Sequence, residues 1–350
     1  MRMLGKTLKW ILIIVLVLVL VIVGGFYAMF HGEINTMATI KQLDDQVFAM
    51  EYKADYGFGE FLETGAASDA EVRDFIVKRL LHGMPMDFEL PKLGCSTFSA
   101  KLESGDSVFG RNFDELACPM MMVTTRPKDG YASISMVNLS YIGYSDTYLP
   151  DSAQNSLLAL AAPYVPLDGV NEKGLSAGVL FIASAPTNQD TGKVDITTTT
   201  AIRMILDRCA TVDEAIDMLS QYDMHSSASA CFHIHIADAQ GGSAVVEYVK
   251  DEMLVAEEKA ATNFLFNPLP GVREIGRDRY DTMIARLKEN DGVFKDMRDA
   301  MTLLEAVAQH GGPERQSGTR WSCIYNQTKP ELLLAVNRDY ENMYAFSLED

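Results

Sequence analysis

Lys92-Leu93-Gly94-Cys95-Ser96-Thr97-Phe98, taken with Gly110-Arg111-Asn112-Phe113-Asp114, decides how the rest of this chain folds. After Gly94 the residues alternate, Cys95, Thr97 and Ser99 on one side and Ser96, Phe98 and Ala100 on the other, which reads as a strand starting at Cys95. Glu103-Ser104-Gly105-Asp106 carries turn chemistry, and residues 107–113 alternate again. The two runs therefore form a hairpin with Cys95 at one end. Such a hairpin folds Arg111 and Asp114 back toward Cys95, bringing together a thiol, a permanent cation and a carboxylate. A neighbouring cation favours the thiolate, the reactive form of cysteine. A buried structural cysteine in a polar hairpin would leave the same pattern.

These two motifs resemble those of the choloylglycine hydrolase and penicillin V acylase family of N-terminal nucleophile hydrolases. Its hallmarks are a cysteine exposed as a new N-terminus by processing and a Gly-Arg-Asn-x-Asp strand. Arg111 and Asp114 follow Cys95 by sixteen and nineteen positions, as the family pattern requires. Further on, Asn171 and Gly174 mark a turn before an apolar run over residues 175–182, a geometry that can present an amide at a strand edge. An ordinary hairpin turn looks the same, but Gly169-Val170-Asn171-Glu172-Lys173-Gly174-Leu175 is similar to the family's second motif, which gives Asn171 an oxyanion role. Thr262-Asn263 resembles the third motif and implies the same for Asn263. Asp278-Arg279-Tyr280 is a weaker form of the family's Ser-Arg-Phe and implies that Arg279 is the second cation of the site. The stretch from Asn263 to Arg279 is shorter than in the bile-acid enzymes, so Arg277 and Arg286 are alternatives for that place.

The resemblance covers about residue 95 to the C-terminus. It implies an α+β, four-layer αββα sandwich of the N-terminal nucleophile hydrolase type, beginning at Cys95. It also implies cleavage of Gly94–Cys95 by the Cys95 thiol, after which Cys95 supplies both nucleophile and basic α-amine. The expected activity is hydrolysis of a linear amide in an N-acyl small molecule, with Asn171 and Asn263 at the oxyanion, Asp114 orienting the amine, Arg111 and Arg279 tuning charge, and no cofactor. An acyltransferase of the same fold, or an inactive membrane-tethered ectodomain, are the other readings. Conjugated bile acids, penicillin V and N-acyl homoserine lactones are all open as substrates, as is association into a homo-oligomer.

Composition agrees with a sizeable core: 350 residues, 48% hydrophobic, with a mean hydropathy of +0.01. A net charge of -18 excludes nucleic acid as a partner, since a phosphate backbone needs a basic face. The five cysteines, Cys95, Cys118, Cys209, Cys231 and Cys323, form no CxxC pair, which argues against a zinc site or a disulfide framework. The four besides Cys95 read as ordinary buried thiols.

Arg2, Lys6 and Lys9 precede thirteen consecutive aliphatic residues, 11–23, and the run continues uncharged to Phe30. Some twenty uncharged residues can span a bilayer, and the leading positive charges put the N-terminus in the cytoplasm. Residues 1–30 thus read as a signal anchor, with a cleaved signal peptide as competitor. Residues 31–94 read as a helical propeptide, stalk or retained cap: a polar helical pattern over 34–56, a capped helix from Ser68 to Leu81, and Pro85 and Pro91 closing the segment.

In the remainder, residues 120–123 and 131–137 continue the strand pattern, and Met120, Met121 and Met122 suit either core or an adaptable acyl pocket. Residues 197–222 read as two helices, the second with a Thr211–Glu214 capping box. His233 and His235 share a strand face; with no third ligand in view they read as hydrogen-bonded structural residues rather than a metal site. A helix over 294–310 and strands over 319–325, 331–336 and 343–348 complete the chain.

Overall fold

The computed structural model describes residues 2–87, 94–311 and 317–349. The expected hairpin is present: strands Cys95–Leu102 and Ser107–Leu116 pair antiparallel, with Cys95 opposite Phe113 and Thr97 opposite Arg111. Gly105, with φ 91°, takes the turn between them. This hairpin lies inside a seven-stranded sheet, where Ser317–Asn326 pairs with the second strand and Glu331–Val336 and Asp339–Ser347 continue outward. The register slips between Thr319 and Trp321, a bulge opposite Asp114 and Phe113.

The second sheet has nine strands. From Met120–Thr125 it runs through Ser133–Asn138, Asp168–Asn171, Ser176–Ile182, Cys231–Ala237 and Ser243–Val249 to Glu252–Ala256. The two sheets meet face to face through Cys95–Leu102 against Ser176–Ile182. Helices Thr198–Arg208 and Val212–Leu219 cover the nine-stranded sheet; Arg277–Glu289 and Met297–Ala306 cover the other. This is the αββα order that the resemblance implied. Apolar residues of both sheets build one core, with Phe109 and Trp321 fully buried between the sheets and Ala177 beneath the helices.

The N-terminal segment departs from its expected helical character. Residues 41–52 are not helix: Lys41–Asp44 and Val47–Tyr52 are strands, and the latter pairs in parallel with Met120–Thr125 to complete the nine-stranded sheet. Val47-Phe48-Ala49-Met50 is a short apolar run that is buried at every position, and the neighbouring sheet edge outweighs the weak helical periodicity. Ser68 caps the helix Asp69–Arg79 as expected, its hydroxyl accepting from the Glu71 N–H, and Val72 and Ile76 face the core. Pro91 lies outside the described residues, as do Lys92 and Leu93 of the opening motif.

At the N-terminus a helix spans Arg2–Met37, broken at Phe30 (φ -115°). Among the described residues no single helix is long and apolar enough to cross a membrane. The pair Lys9–Gly25 and Tyr27–Met37, bent by 57°, meets that test by length and composition only. Residues 10–23 are exposed throughout, whereas Thr36 is buried, its hydroxyl oxygen accepting from the Lys53 and Ala54 N–H groups. The far end of the helix is therefore fastened to the sandwich while its apolar stem projects from it.

Candidate active site

Cys95 opens its strand in a buried position, 4% exposed. Its backbone N–H donates to Asn263 Oδ1 at 2.8 Å, and its carbonyl accepts from Arg279 Nη1 at 2.7 Å. Arg279 ties the cluster together: Nη1 also reaches Ser96 Oγ (2.7 Å) and Asp114 Oδ2 (3.2 Å), and Nη2 donates to Asn263 Oδ1 (2.7 Å). The other carboxylate oxygen of Asp114 accepts from the Thr319 hydroxyl at 2.6 Å. Just before Cys95, the Gly94 carbonyl accepts from the Asp114 N–H at 3.0 Å. A side chain at position 94 would meet Asn263 Oδ1, Asp114 Oδ2 and Arg279 Nη2 at 3.4–3.6 Å, so the Gly94–Cys95 peptide sits inside the cluster.

Arg279, not its competitors, is brought here. Arg277 and Arg286 have half-exposed side chains and pair with Glu274, Asp281 and Glu289. The helix Arg277–Glu289 starts from Gly276 in the left-handed region (φ 78°), and a Cβ there would come within 2.4 Å of Arg279 Nη2. Glycine at 276 thus serves both the turn and the passage of the guanidinium.

Arg111 is fully buried on the inner face, its Nε donating to Asp168 Oδ2 at 3.2 Å. Asp168 also accepts from Trp321 Nε1 and the Tyr325 hydroxyl. Arg111 Nη1 and Nη2 have no hydrogen-bond partner of good geometry among the described residues. Burial pushes the Cys95 thiol up; Arg111 foremost and then Arg279 pull it back, while Asp114 adds to the rise. In the uncut chain the sulfur is therefore held largely as a thiol. Burial also raises Asp114, against the pull of Arg279 and the Thr319 hydroxyl.

Asn171 is not part of this cluster, which corrects the expectation drawn from its motif. Its Nδ2 donates to the Leu206 and Cys209 carbonyls at the end of helix Thr198–Arg208, and its Oδ1 accepts from the Lys173 and Leu175 N–H groups. Every polar atom of the side chain is engaged in holding the turn and the helix end, leaving none for an oxyanion. Asn263 differs: its Nδ2 donates to the Phe181 carbonyl at 2.8 Å, on the wall of a pocket that opens at Cys95. That pocket, of about 30 Å³, is walled mostly by aromatic and aliphatic side chains and contains none of the methionines of residues 120–122, which belong to the core.

His233 bonds Glu247 and the Thr262 carbonyl; His235 bonds Thr97 and Ser243. Burial lowers His235 to about 3, so it stays neutral. The described residues hold no group of three metal-ligating side chains. All five cysteines are buried and unpaired. Asp168, Thr319 and Glu115 escaped the reading of the sequence. Only Asp168 left a trace, a lone carboxylate between Leu167 and Gly169 ahead of an apolar strand.

Comparison with known proteins gives a family to this geometry. Residues 95–264 match the model of the linear amide C-N hydrolases, choloylglycine hydrolase family. Over that stretch the chain is similar to this family. A penicillin V acylase from Pectobacterium atrosepticum is 34% identical over 103 residues; the match covers 26% of this chain and spans about a quarter (27%) of that relative's length. Among solved structures, a mutant of the conjugated bile acid hydrolase from Clostridium perfringens superposes with a TM-score of 0.55. It shares 17% identity and covers 73% of this chain and 92% of its own. Penicillin V acylase from Agrobacterium tumefaciens gives a TM-score of 0.48 at 16% identity, covering 73% of this chain and 87% of its own. The likeness to the bile acid hydrolase shows that the two share the αββα fold.

Proposed function

We propose that the chain is a self-processed cysteine amidohydrolase that cleaves a linear C-N bond of an N-acyl small molecule. The observation that carries this is the enclosure of Gly94–Cys95 by Asp114, Asn263 and Arg279, with Arg111 behind the sulfur. In the precursor the thiol attacks the Gly94 carbonyl carbon, whose oxygen already accepts from the Asp114 N–H. The C–N bond breaks, the Cys95 nitrogen takes the proton, and water hydrolyses the resulting thioester to free the Gly94 carboxyl. An α-amino group, whose unperturbed pKa is near 8, can accept the thiol proton at neutral pH.

The same sulfur then attacks the substrate carbonyl. Asn263 Nδ2, turned from Phe181 toward the pocket, stabilises the oxyanion; the α-amine returns its proton to the leaving amine, and water hydrolyses the acyl-enzyme. Asp114 and Asn263 Oδ1 hold the amine, and Arg111 favours the thiolate. We further take the bent N-terminal helix pair as a signal anchor with residues 31–350 outside the cytoplasm, on the charges at Arg2, Lys6 and Lys9 and the exposed apolar stem. Protease added to intact cells should then reach the sandwich.

N-terminal sequencing and amide turnover test the central reading. The active product should begin at Cys95, and Cys95→Ala should remain full length and inactive. Active protein still joined at Gly94 would overturn it.

A further inference from the structure

The pocket at Cys95 is apolar along most of its wall, with Phe113, Tyr141, Leu167, Val179, Phe181 and Phe232 facing it. Four polar side chains interrupt that wall: Glu115, Thr198, Thr199 and Ser227; the Thr198 hydroxyl oxygen already accepts from the Ser227 N–H. Each is at most 4% exposed. The hydroxyls of Thr199 and Ser227 have no hydrogen-bond partner of good geometry among the described residues. Behind Ser227, the Asp69 carboxylate accepts from the Ala228 N–H through Oδ2 and is also stabilised by the nearby Ser227 hydroxyl. Glu115 receives its own neighbour's N–H, from Leu116 at 2.9 Å, and a long contact of 3.4 Å from the Tyr141 hydroxyl. Buried polar groups left in this state cost roughly 1–3 kcal/mol each, so a set of them lining one pocket points to a ligand that completes them.

The charges around the pocket select that ligand. Glu115 and Asp69 disfavour an anion. Thr199 lies in the first turn of helix Thr198–Arg208, whose positive end disfavours a cation. An uncharged group that both donates and accepts satisfies all of them, and a hydroxyl is the smallest. The pocket is small, about 30 Å³, which favours a short acyl chain.

We propose that this end of the pocket recognises a hydroxyl on the acyl part of the substrate, so that the preferred amides are those of short hydroxy acids. The assignment rests on the hydrolase reading above and narrows its substrate class. Thr199 and Ser227 bind the hydroxyl, and Glu115 closes the ring of partners around it.

The test uses the full chain after processing and three para-nitroanilides: butanoyl, α-hydroxybutanoyl and β-hydroxybutanoyl. At least one hydroxy amide should exceed the plain one in kcat/KM by roughly tenfold or more, the kind of margin that a site built around a hydrogen-bonding group imposes on its deoxy analogue. The double variant Thr199→Val with Ser227→Ala should bring that ratio to within about twofold of one, and Thr199→Ser, which keeps the hydroxyl, should preserve it. Cleavage of the plain amide as fast as both hydroxy amides in the wild type would overturn the proposal and leave the hydrolase intact. So would a ratio unchanged in the double variant. Cleavage of none of the three by protein that begins at Cys95 and turns over another amide would overturn this proposal and leave the hydrolase reading in place.

Discussion

Two arginines and three carboxyl groups lie buried around one sulfur, and each depends on the others for its charge. Asp168 is the counter-charge of Arg111, both fully out of solvent. Removing one member of a buried ion pair leaves the other uncompensated, at a cost of roughly 3–5 kcal/mol. Asp168→Ala, made in the Cys95→Ala chain so that cutting does not intervene, should lose about that much stability in urea unfolding; a loss below about 1 kcal/mol would show that Arg111 finds another partner. Glu115 offers a pH test. Burial raises it from 4.5 to about 7, with Tyr141, Arg320 and Cys118 as the titratable or charged groups around it. Because the folded state holds this proton more tightly than the unfolded chain, Glu115 lowers stability progressively as pH rises from about 4.5 to about 7. Glu115→Gln, again in the uncut background, should therefore raise the melting temperature at pH 8 and leave it nearly unchanged at pH 5. Equal gains at both would mean that the carboxylate is not what the fold resists.

At the scale of elements, the turn at Asn171 and the start of the helix at Gly276 carry different burdens. Asn171→Ala removes four hydrogen bonds, including both that fasten the end of helix Thr198–Arg208. It should destabilise by several kcal/mol at roughly 1–3 for each stranded group, yet change kcat of the folded enzyme by less than about tenfold. Asn263→Ala should do the opposite, lowering kcat by roughly ten- to a thousand-fold with the fold kept, as when an oxyanion donor is lost. Finding the two effects interchanged would restore Asn171 to the oxyanion. Gly276→Ala forces a side chain into the left-handed region and against Arg279. It should slow both self-cleavage and turnover, read by the fraction of uncut chain and by kcat. The hairpin at Cys95 was legible because alternation and turn residues are local signals. Asn171 misled because its motif reports a turn in the chain; which atoms its amide meets depends on a helix some thirty-five residues later.

The whole molecule makes the segment before Gly94 part of the sandwich. Val47–Tyr52 is a strand of the nine-stranded sheet, and Phe48, Phe61, Val72, Ile76 and Leu80 are fully buried, each worth roughly 1.5–3 kcal/mol of burial. Tyr56 bonds the Asp207 carboxylate, and the Tyr164 hydroxyl donates to the Tyr56 carbonyl. We expect that after cutting at Gly94–Cys95 the two pieces run as one particle in size-exclusion chromatography and separate only in denaturant. Elution of a free fragment beginning at Cys95 under native conditions would contradict this.

Alternation and turn residues determined the hairpin that brings Cys95, Arg111 and Asp114 together, composition determined the acidic, apolar-ended character of the chain, and resemblance to family motifs added Asn263, because these signals reside in neighbouring residues or in short motifs. Tertiary structure alone decided that Arg279 rather than Arg277 or Arg286 enters the cluster, that Asn171 stays outside it, and that residues 41–52 are strands. Those outcomes depend on free energies of burial and pairing with partners far away in sequence. The apolar run at residues 47–50, for example, becomes a strand because the edge at Met120–Thr125 offers it backbone hydrogen bonds and a core, and nothing local to it announces that edge.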